Sequence, residues 1–473
     1  MSQLVDTSPA PVAAPAPPSF LDSITWGTTL PTNAIDVYFA EDGEVFDGKT
    51  SVGWGDYEIQ QAMLAFEQFS NVADVTFNIV HDQSKAELTL VNKENANYLG
   101  YFNPPGTNGE GIGVFNQGGT GWDEELEGTG GLEQGGYGFI TLLHEFGHAL
   151  GMAHPHDTGG TSTIWEGVTS PFDSFGTFDL NQGIYTTMTY NDGWQLHPSG
   201  ENTADEYGWQ GTMMGFDIAL LQQLYGANTS FANGDTKYVL PDANGTGTYF
   251  SCIWDTGGDD QIVYRGKRDA VIDLRAAHLQ YAEGSGGYIS FAERIYGGFT
   301  IANGVVIEDA VGGSGDDGIT GNDAGNLLKG KDGSDTLFGL AGEDRLTGGD
   351  GNDTLSGGDA GDLLAGGCGA DRFVYAALSE SGSGRGTRDR ISDFESGEDA
   401  LDLHDIDARS GGTADDDFTW IDSEAFHGSK GELRWKIVAQ GVVVQGDYDG
   451  DGIADFKILL HSVNTVERGD FSL

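Results

Sequence analysis

Three histidines and a glutamate stand within eleven residues of one another, at spacings that suit the binding of a metal ion. The stretch reads HEFGHALGMAH from His144 to His154. On a helix, His144 and His148 share one face, and Glu145 lies one step round, where it can hold a water molecule beside the ion. Gly151 can end the helix, so that His154 approaches from a third direction. Three neutral imidazoles with one open coordination position are the ligand set of a catalytic zinc site rather than a closed structural one.

This spacing resembles the metzincin signature. The alternative is an amphipathic helix with incidental histidines, which requires the chance placement of three histidines, a glutamate and a glycine. Zinc at such a site lowers the pKa of a water molecule to roughly 7. Glu145 is then expected to act as general base, taking the proton as the water attacks a peptide carbonyl and returning it to the leaving amine.

A second segment, TMTY at residues 187–190, follows the zinc helix and resembles the Met-turn of the serralysin and astacin groups. The resemblance implies that Met188 forms an apolar floor under the zinc ligands. It also implies that Tyr190 is a loose fifth zinc ligand and a catalytic residue, whose hydroxyl swings away to support the oxyanion.

The residues from about Ile24 to Ala227 must position this site, and their composition is that of a globular α/β domain. Apolar periodicity predicts both strands and helices in this region. The predicted strands are Ala34–Ala40, Val75–Val80 and Glu87–Val91. The predicted helices are Tyr57–Phe69, Phe139–Gly151 and Met214–Tyr225, with a glycine-rich loop, Gly106–Gly136, leading into the second.

From Gly312 to Val374, seven nine-residue units repeat in register. Position one is always glycine, position six is Asp or Asn, and position eight is a large apolar residue. The apolar column predicts a core, and the rows of acids would repel one another unless a cation lay between them. Acids beside turn carbonyls at this period predict a calcium-filled parallel β-roll. An acidic glycine-rich linker, the alternative, would not keep an apolar column in register.

The charge balance is strongly acidic, with 22 Lys plus Arg against 74 Asp plus Glu and a formal net charge of −52. This charge argues against nucleic acid or an anionic membrane surface as a partner, and favours calcium as a counter-ion. No apolar run is long enough to span a membrane. Residues Met1–Phe20 lack the basic and apolar regions of an ordinary secretory signal, and contain a proline-rich leader or short propeptide. The two cysteines, Cys252 and Cys368, are far apart, so we expect no dependence on disulfides.

The zinc helix followed by nonapeptide repeats resembles the serralysins, which are secreted bacterial zinc endopeptidases with a C-terminal calcium β-roll. The resemblance runs from about Phe20 to the end of the chain. It implies an α+β metzincin catalytic domain, with a mixed sheet, helices and a two-part cleft, followed by an all-β parallel β-roll or β-sandwich domain. The implied boundaries are residues 1–20 for the leader, 21–230 for the catalytic domain and 231–473 for the calcium-binding RTX domain.

In that family, calcium is bound by carbonyls at repeat positions two and four and by the side chain at position six. Carried over, the implied ligands are Gly313, Gly315, Asp317, Asn322, Ala324, Asn326, Gly333, Asp335, Gly342, Asp344, Gly349, Gly351, Asp353, Gly358, Asp362, Gly369 and Asp371. A further calcium site ahead of the roll is expected from the side chains of Asp255, Asp260 and Glu308.

Some positions depart from the family pattern. Lys331 and Leu340 replace glycine at position two, and Cys368 occupies a turn position, so we expect some calcium sites to be weak or empty. His156 stands where the family usually has glycine, and we expect it to be exposed rather than to crowd the cleft. Residues Asp447–Asp455 carry acids at loop positions 1, 3, 5 and 9 but no glutamate at position 12. They form either an EF-hand-like calcium loop or a plain hydrated hairpin turn.

The sequence therefore predicts a secreted, monomeric zinc endopeptidase with one catalytic Zn²⁺ and several structural Ca²⁺ ions, folded by calcium outside the cell. The expected partners are extended protein substrates bound along a sheet edge, a type I exporter that reads the C-terminal signal ending in Asp470–Leu473, and a proteinaceous inhibitor. One alternative is a calcium-dependent RTX adhesin or toxin-like binding protein with a vestigial zinc domain. Another is a metzincin specialised for one host or self protein, and the segment Thr161–Ile184, which matches the family poorly, leaves the substrate preference open.

Overall fold

The computed structural model describes residues 20–94, 96–123, 130–384, 386–410 and 416–473. The predicted leader therefore lies outside the described residues, except for Phe20. Phe20 is buried, and its ring contacts those of Trp165, Phe216 and Tyr281 at centroid distances of 5.5, 5.1 and 5.3 Å. The assignment of Phe20 to a flexible leader was thus wrong, because its apolar ring is part of the folded core.

The described part of the chain forms three α-helices. They are α1 (Asp56–Val72), α2 (Tyr137–Ala149) and α3 (Gly215–Tyr225). All three were predicted, with ends that differ by up to three residues. The apolar face of α1 is buried, and its Phe66 ring stacks on Phe146 of α2 with centroids 3.7 Å apart. This contact fixes α2 between α1 and the first sheet.

The first sheet is mixed and five-stranded. The strands of this region are β1 (Ala34–Phe39), β2 (Val45–Phe46), β3 (Lys49–Thr50), β4 (Thr76–Ile79), β5 (Leu88–Lys93), β6 (Gly100–Phe102) and β7 (Ile112–Asn116). The order in the sheet is β4-β1-β5-β7-β6, and β2 pairs only with β3. Four strands are parallel, and β6 lies antiparallel to β7 at the edge. The three predicted strands correspond to β1, β4 and β5.

The second half of the chain is built from short strands. They are β8 (Lys237–Val239), β9 (Phe250–Ile253), β10 (Gln261–Val263), β11 (Ala270–Asp273), β12 (Ser290–Ala292), β13 (Gly298–Ile301), β14 (Asp309–Val311), β15 (Gly318–Thr320), β16 (Leu327–Asp332), β17 (Thr336–Phe338), β18 (Arg345–Asp350), β19 (Thr354–Ser356), β20 (Leu363–Cys368), β21 (Arg372–Val374), β22 (Arg390–Ile391), β23 (Ala400–Asp402), β24 (Thr419–Trp420), β25 (Glu432–Val438), β26 (Gly441–Asp447), β27 (Phe456–His461) and β28 (Phe471–Ser472).

These strands form two sheets, of eleven and ten strands, between which the chain alternates. Within the repeats, β15, β17, β19 and β21 pair in parallel in one sheet, while β14, β16, β18 and β20 pair in the other. Each pairing joins residues eighteen apart, so one turn of the coil uses two nine-residue units. The position-eight residues are fully buried between the sheets, as predicted. The parallel β-roll expected from the repeats is therefore present in the fold.

One hydrophobic core runs through both halves of the chain. It extends from Phe20, through the helices, to Phe471. The backbone bridge between Gln210 and Phe250 continues the contact between the α-helical half and β9. In the described ranges, no helix is both long enough and apolar enough to cross a membrane.

Candidate active site

Helix α2 presents His144 and His148 one turn apart on a buried face. After the helix, Gly151 has a φ of +90°, a left-handed conformation that favours glycine. A Cβ atom at Gly151 would also lie 2.1 Å from the Thr28 carbonyl oxygen. The chain therefore reverses at this glycine and brings His154 back towards the helix.

The three imidazoles converge on one point. The Nε2 atom of His154 lies 3.1 Å from that of His144 and 3.0 Å from that of His148. The opposite ring nitrogens of His144, His148 and His154 have as partners the Thr187 carbonyl, the Met152 carbonyl and the Asp157 carboxylate, at 2.8, 3.0 and 2.8 Å. Because each of these partners accepts a hydrogen bond, each ring carries its proton on Nδ1. All three Nε2 lone pairs are thus left for one electrophile.

This donor set fits a zinc ion. Tetrahedral nitrogen ligands at about 2.0–2.1 Å from zinc stand roughly 3.3 Å from one another, close to the Nε2 separations in the cluster. Burial is the main cause that lowers the pKa of His144 well below its ordinary value and that of His148 to about 3. Both rings are therefore neutral at physiological pH, as zinc ligands must be.

The carboxylate of Glu145 is buried beside this cluster. Its Oε2 atom has no hydrogen-bond partner among the described residues. Burial raises the pKa of Glu145 to about 8, against the opposing effect of a hydrogen bond with the main chain of Phe102. A Cβ atom at Gly100 would lie 2.9 Å from Glu145 Cγ, so the missing side chain leaves room for the carboxylate. A group with an open lone pair, able to accept a proton, thus lies next to the histidines.

Met188 lies behind the histidines, where it closes the back of α2. Its sulfur is 2.6 Å from the point where a Cβ atom at Gly147 would stand, so a glycine is needed there. The turn around Met188 is anchored by Asp217, a fully buried residue in the first turn of α3. The Asp217 carboxylate accepts hydrogen bonds from Thr186 Oγ1, Thr187 N and Met214 N at 2.7, 2.7 and 3.0 Å.

Tyr190 lies over the histidines, with its ring centroid 4.8 Å from that of His154 and 5.6 Å from that of His144. Burial, with the nearby Glu145 carboxylate second, raises the pKa of Tyr190 to about 12. The phenol therefore keeps its proton at neutral pH and can donate a hydrogen bond. The structure brings Tyr190 together with the other predicted residues of the zinc site.

The expectation for His156 was wrong. Its side chain is only 4% exposed. Its ring stacks on that of His154 and packs at a tilt against that of Tyr190, at centroid distances of 4.7 and 4.4 Å. The reversal of the chain at Gly151 carries His156 back with His154, so that it packs beneath Tyr190 instead of facing solvent. Stacking between aromatic faces stabilises this position.

Two functional residues were missed by the sequence analysis, Asp157 and Asp217. The hydrogen bond from His154 is the main cause that lowers the pKa of Asp157, so its carboxylate is charged where it orients the third imidazole. Its position three residues after His154 was an available signal, but a weak one, because acidic residues are common in polar loops. Asp217 was visible only as a first-turn acid of a predicted helix, and its contact with the Met188 turn is tertiary.

Two cavities of about 430 Å³ each meet at the histidines. Gly100, His144, Glu145 and Tyr190 line both of them. The edge strand β6 therefore runs along a continuous cleft that crosses the predicted zinc site. In the first cavity, burial raises the pKa of the Asp192 carboxyl to about 7.

The position-six aspartates form two hydrogen-bonded columns. In one column, the main-chain N–H groups of Asp317, Asp335 and Asp353 donate to the Oδ1 atom eighteen residues later, at 2.8, 2.8 and 2.9 Å. In the other, Asn326 and Asp344 donate in the same way, at 2.7 and 2.8 Å. Each column continues past the seven units, to Asp399 and Asp389 respectively. The sequence analysis missed these two acids because the nine-residue period breaks before them.

In six of the later aspartates, the second carboxylate oxygen is buried without a hydrogen-bond partner among the described residues. These orphaned Oδ2 atoms belong to Asp335, Asp344, Asp353, Asp362, Asp371 and Asp389. Burial raises the pKa of Asp344 to about 6 and that of Asp335, Asp362 and Asp371 to about 7. A row of buried carboxylates with unused oxygens is the donor set that calcium requires.

Most of the predicted carbonyl ligands lie in the turns between the strands, beside these columns, and Gly349 lies near the end of β18. Positive φ values are found at Gly333, Gly342, Gly349, Gly351, Gly358 and Gly369. In these turns the carbonyls of successive coils stack closely, since a Cβ atom at Gly351 would lie 1.9 Å from the Gly333 oxygen. Gly313, Gly315, Asn322 and Ala324 lie in the corresponding turns of the first two units.

The first members of the two columns differ from the rest. Asp317 accepts hydrogen bonds on both oxygens, from Ala270 N and Gly313 N. The side chain of Asn326 is likewise bonded, to Asn322 and to the Glu308 carbonyl. Position two of a later unit is Lys331, whose Nζ donates to the Gly312 and Tyr264 carbonyls. The Lys331 ammonium group therefore lies against main-chain oxygens at the start of the roll. Lys331 is one of the departures from which the sequence predicts weak or empty calcium sites.

Two further acidic groups were singled out in the sequence. Asp260 N donates to Glu308 Oε2 at 2.9 Å, and burial, together with the Asp255 and Glu308 charges, raises the pKa of Asp260 to about 6. In the C-terminal loop, ligand atoms of Asp447, Asp449 and Asp455 all lie within 4.8 Å of one another. The structure thus brings together three of the four predicted loop acids, without Asp451, whereas Asp255, Asp260 and Glu308 do not form a comparable cluster among the described residues.

The chain is similar to known proteins over most of its length. It is 34% identical over 419 residues to metallopeptidase AprA of Pseudomonas marginalis, covering 84% of this chain and 76% of the relative. Metalloprotease AprA of Pseudomonas entomophila is 33% identical over 427 residues, covering 86% and 77%. Serralysin G of Dickeya chrysanthemi is 31% identical over 420 residues, covering 85% and 76%.

The C-terminal half also matches a described protein family. Residues 221–472 match the family described as Peptidase M10 serralysin C terminal. This range includes the whole β-roll, and the relatives extend the similarity over the histidine cluster. The chain therefore belongs to the serralysin family of zinc metalloproteases and is a metalloendopeptidase.

Proposed function

We propose that the protein hydrolyses peptide bonds in extended protein substrates, with one zinc ion held by His144, His148 and His154 and with Glu145 as general base. The observation that carries this proposal is the convergence of the three imidazoles. His154 Nε2 lies about 3 Å from the Nε2 atoms of His144 and His148, and a buried carboxylate oxygen without a partner among the described residues lies beside them. Zinc at this position polarises the scissile carbonyl and lowers the pKa of a water molecule to roughly 7.

Glu145 moves the proton. Its Oε2 atom accepts a proton from the attacking water, and the same carboxyl then donates it to the leaving amine. Burial supports this double role, because a carboxyl whose pKa is raised towards neutrality both accepts and releases a proton readily. Because Gly100 has no side chain, the Glu145 carboxylate has space between the histidines and the edge strand.

Tyr190 stabilises charge on the substrate. As the carbonyl oxygen becomes negative, the Tyr190 hydroxyl donates a hydrogen bond to it. The same hydroxyl is proposed as a loose fifth zinc ligand at rest. His156 and Phe172 pack on the Tyr190 ring at 4.4 and 5.4 Å, which limits the directions in which it can swing.

Strand β6 positions the substrate. It lies at the edge of the first sheet and lines both cavities, so an extended peptide laid along it crosses the histidine cluster. Pairing through main-chain hydrogen bonds is independent of side chains, which predicts broad specificity.

Calcium completes the roll in this proposal. The position-six aspartates and the turn carbonyls would hold several calcium ions, and Asp255, Asp260 and Glu308 would hold a further one. The orphaned buried oxygens support it, because an unpaired buried carboxylate is costly without a cation. The chain then divides into a leader before Phe20, a catalytic domain to about residue 230 and a calcium-binding domain to 473.

Secretion follows from the same chemistry. In a cytosol poor in calcium the acidic roll stays unfolded, and a type I exporter passes the extended chain by reading its C-terminal signal. Outside the cell, calcium folds the enzyme as a monomer, and a proteinaceous inhibitor could occupy its cleft.

Metal analysis combined with casein hydrolysis tests the proposal in the calcium-loaded protein. We expect Glu145→Ala to retain one zinc per chain while proteolysis falls by about 10²–10⁴-fold. Wild-type activity should be abolished by a zinc chelator. Equal activity in Glu145→Ala would remove this residue from the mechanism, and a wild-type protein that binds no zinc and cleaves nothing would favour the adhesin alternative.

A further inference from the structure

The first cavity beside the histidines contains a carboxylate that the proposed mechanism does not use. It belongs to Asp192, two residues after Tyr190. Among the described residues, the only hydrogen bond to this carboxylate comes from Tyr137 Oη, at 3.2 Å. In the part of the chain that the structure describes, no Lys or Arg forms an ion pair with Asp192. The Asp192 carboxyl group therefore lines the cavity without a counter-ion from these residues.

The rest of the lining is mainly uncharged, and Tyr98 is one of its residues. Leu99, Ile140 and Phe172 supply apolar surface to the cavity wall. A carboxylate beside apolar walls suits a long side chain that has an aliphatic stem and a cationic head.

The cavity opens directly onto the reaction centre. His144, Glu145 and Tyr190 form part of its wall, and Gly100 of the edge strand lies at its border. A peptide paired with β6 that places its scissile bond at the histidines would therefore direct the side chain next to that bond into this cavity. The volume of about 430 Å³ is in the range of pockets that accept a whole side chain or small ligand.

We propose that this cavity is a specificity pocket for a Lys or Arg side chain adjacent to the scissile bond, and that Asp192 is the residue that selects the cation. The proposal rests on the proposed peptidase function and names a substrate class for it. Backbone pairing along β6 leaves the remaining substrate positions unselected. The excess of acids over bases in the chain also favours the binding of cationic substrates.

Peptides that differ at one position test this pocket. With the zinc- and calcium-loaded full-length enzyme, kcat/KM is measured for a set of quenched peptides carrying Arg, Lys, Gln, Met or Glu on either side of the scissile bond. We expect one of the two positions to favour Arg or Lys over Gln by at least about tenfold, since a desolvated charge-assisted contact discriminates strongly against a neutral isostere. Glu should be the poorest residue at that position.

Variants of Asp192 test whether this residue causes the preference for Arg or Lys. Asp192→Asn should reduce the Arg-to-Gln ratio to within about threefold, whereas Asp192→Glu, which keeps the carboxylate, should retain a cationic preference. Asp205→Asn is the matched control, because Asp205 is an exposed acid near Tyr137 that does not line the cavity, and it should leave the ratio unchanged.

The outcomes separate the two proposals. Cleavage by the wild type without a basic preference at either position would overturn the pocket assignment alone, even if Asp192→Asn did not fold. An unchanged ratio in folded Asp192→Asn would also overturn it. If the metal-loaded wild type cleaved none of the peptides and no casein, the peptidase function itself would fail, and the pocket assignment with it.

Discussion

Each imidazole of the zinc site uses its two ring nitrogens differently. Nδ1 is held by a carbonyl or a carboxylate of the protein, and Nε2 is turned towards the other two rings. Two of the three Nδ1 partners are main-chain oxygens, which a side-chain substitution cannot remove. The third, Asp157, is a side chain, and it is therefore the member of this outer set that mutation can test.

The substitution Asp157→Asn should weaken zinc binding by about tenfold, because an uncharged acceptor orients and polarises His154 less strongly. The measurement is zinc affinity by competition with a chelator of known strength. Asp173→Asn, a change at an exposed acid in the same half of the chain, is the control and should not alter the affinity. Equal zinc affinity in the wild type and Asp157→Asn would show that His154 needs no carboxylate partner.

Gly100→Ala tests the space beside the general base. The new Cβ would lie 2.9 Å from Glu145 Cγ and 3.1 Å from Oε1, so the carboxylate must move. We expect kcat to fall by about 10–100-fold while zinc content stays at one per chain, since small misplacements of a catalytic group are costly.

The control for this change is Gly234→Ala, because no atom lies within 4 Å of a Cβ at that position. It should have wild-type kcat. A fully active Gly100→Ala enzyme would mean that the carboxylate has another way to reach the substrate.

At the level of secondary structure, the site depends on contacts between elements that are distant in sequence. The turn around Met188 is held by Asp217 of α3, and α2 is held by the stacking of Phe146 on Phe66 of α1. Edge strand β6 forms part of the cleft wall together with α2 and Tyr190. The helices and the repeat register could be predicted from periodicity, because the burial of one face determines the spacing of apolar residues along the chain.

What could not be predicted has a physical reason. The burial of His156 depends on the direction in which the chain leaves Gly151, and the role of Asp217 depends on the packing of α3 against the Met188 turn. Neither leaves a periodic trace in the sequence. The charge of the Asp192 cavity likewise arises only when β6, α2 and the residues after Tyr190 come together.

Asp217→Ala should therefore destabilise the protein as a whole. The change leaves Thr187 N and Met214 N buried without their acceptor, and we expect the free energy of unfolding to fall by about 2–4 kcal/mol. Chemical denaturation in saturating calcium measures this. Asp56→Ala, which removes an exposed acid from the first turn of α1, is the matched control and should cost well under 1 kcal/mol. A loss of the same small size in Asp217→Ala would contradict the anchoring role.

For the whole molecule, the dominant physical feature is stacked negative charge in the roll. Burial raises the pKa values of Asp335, Asp362 and Asp371 to about 7, and that of Asp389 to about 8. These values lie above those of the unfolded chain, so the calcium-free roll is stabilised by protons below about pH 4. That contribution is lost as the pH rises through 7 to 8.

Calcium must displace these protons to bind. The calcium concentration at the midpoint of folding should therefore fall by about tenfold or more between pH 6 and pH 8. Far-ultraviolet circular dichroism during calcium titration measures the midpoint, with ionic strength matched so that screening of the net charge does not change. A midpoint independent of pH would show that the aspartates are already ionised in the calcium-free protein.

The pairing of β28 with β23 has a consequence for the direction of the proposed export. Phe471 is buried and hydrogen-bonded in the ten-stranded sheet, so the last residues of the chain become its final strand. A transporter can grip this segment only before that strand docks. In the proposed export, pairing of this strand outside the cell would bury the C-terminal segment. The transporter could then no longer bind it, so export would proceed in one direction only.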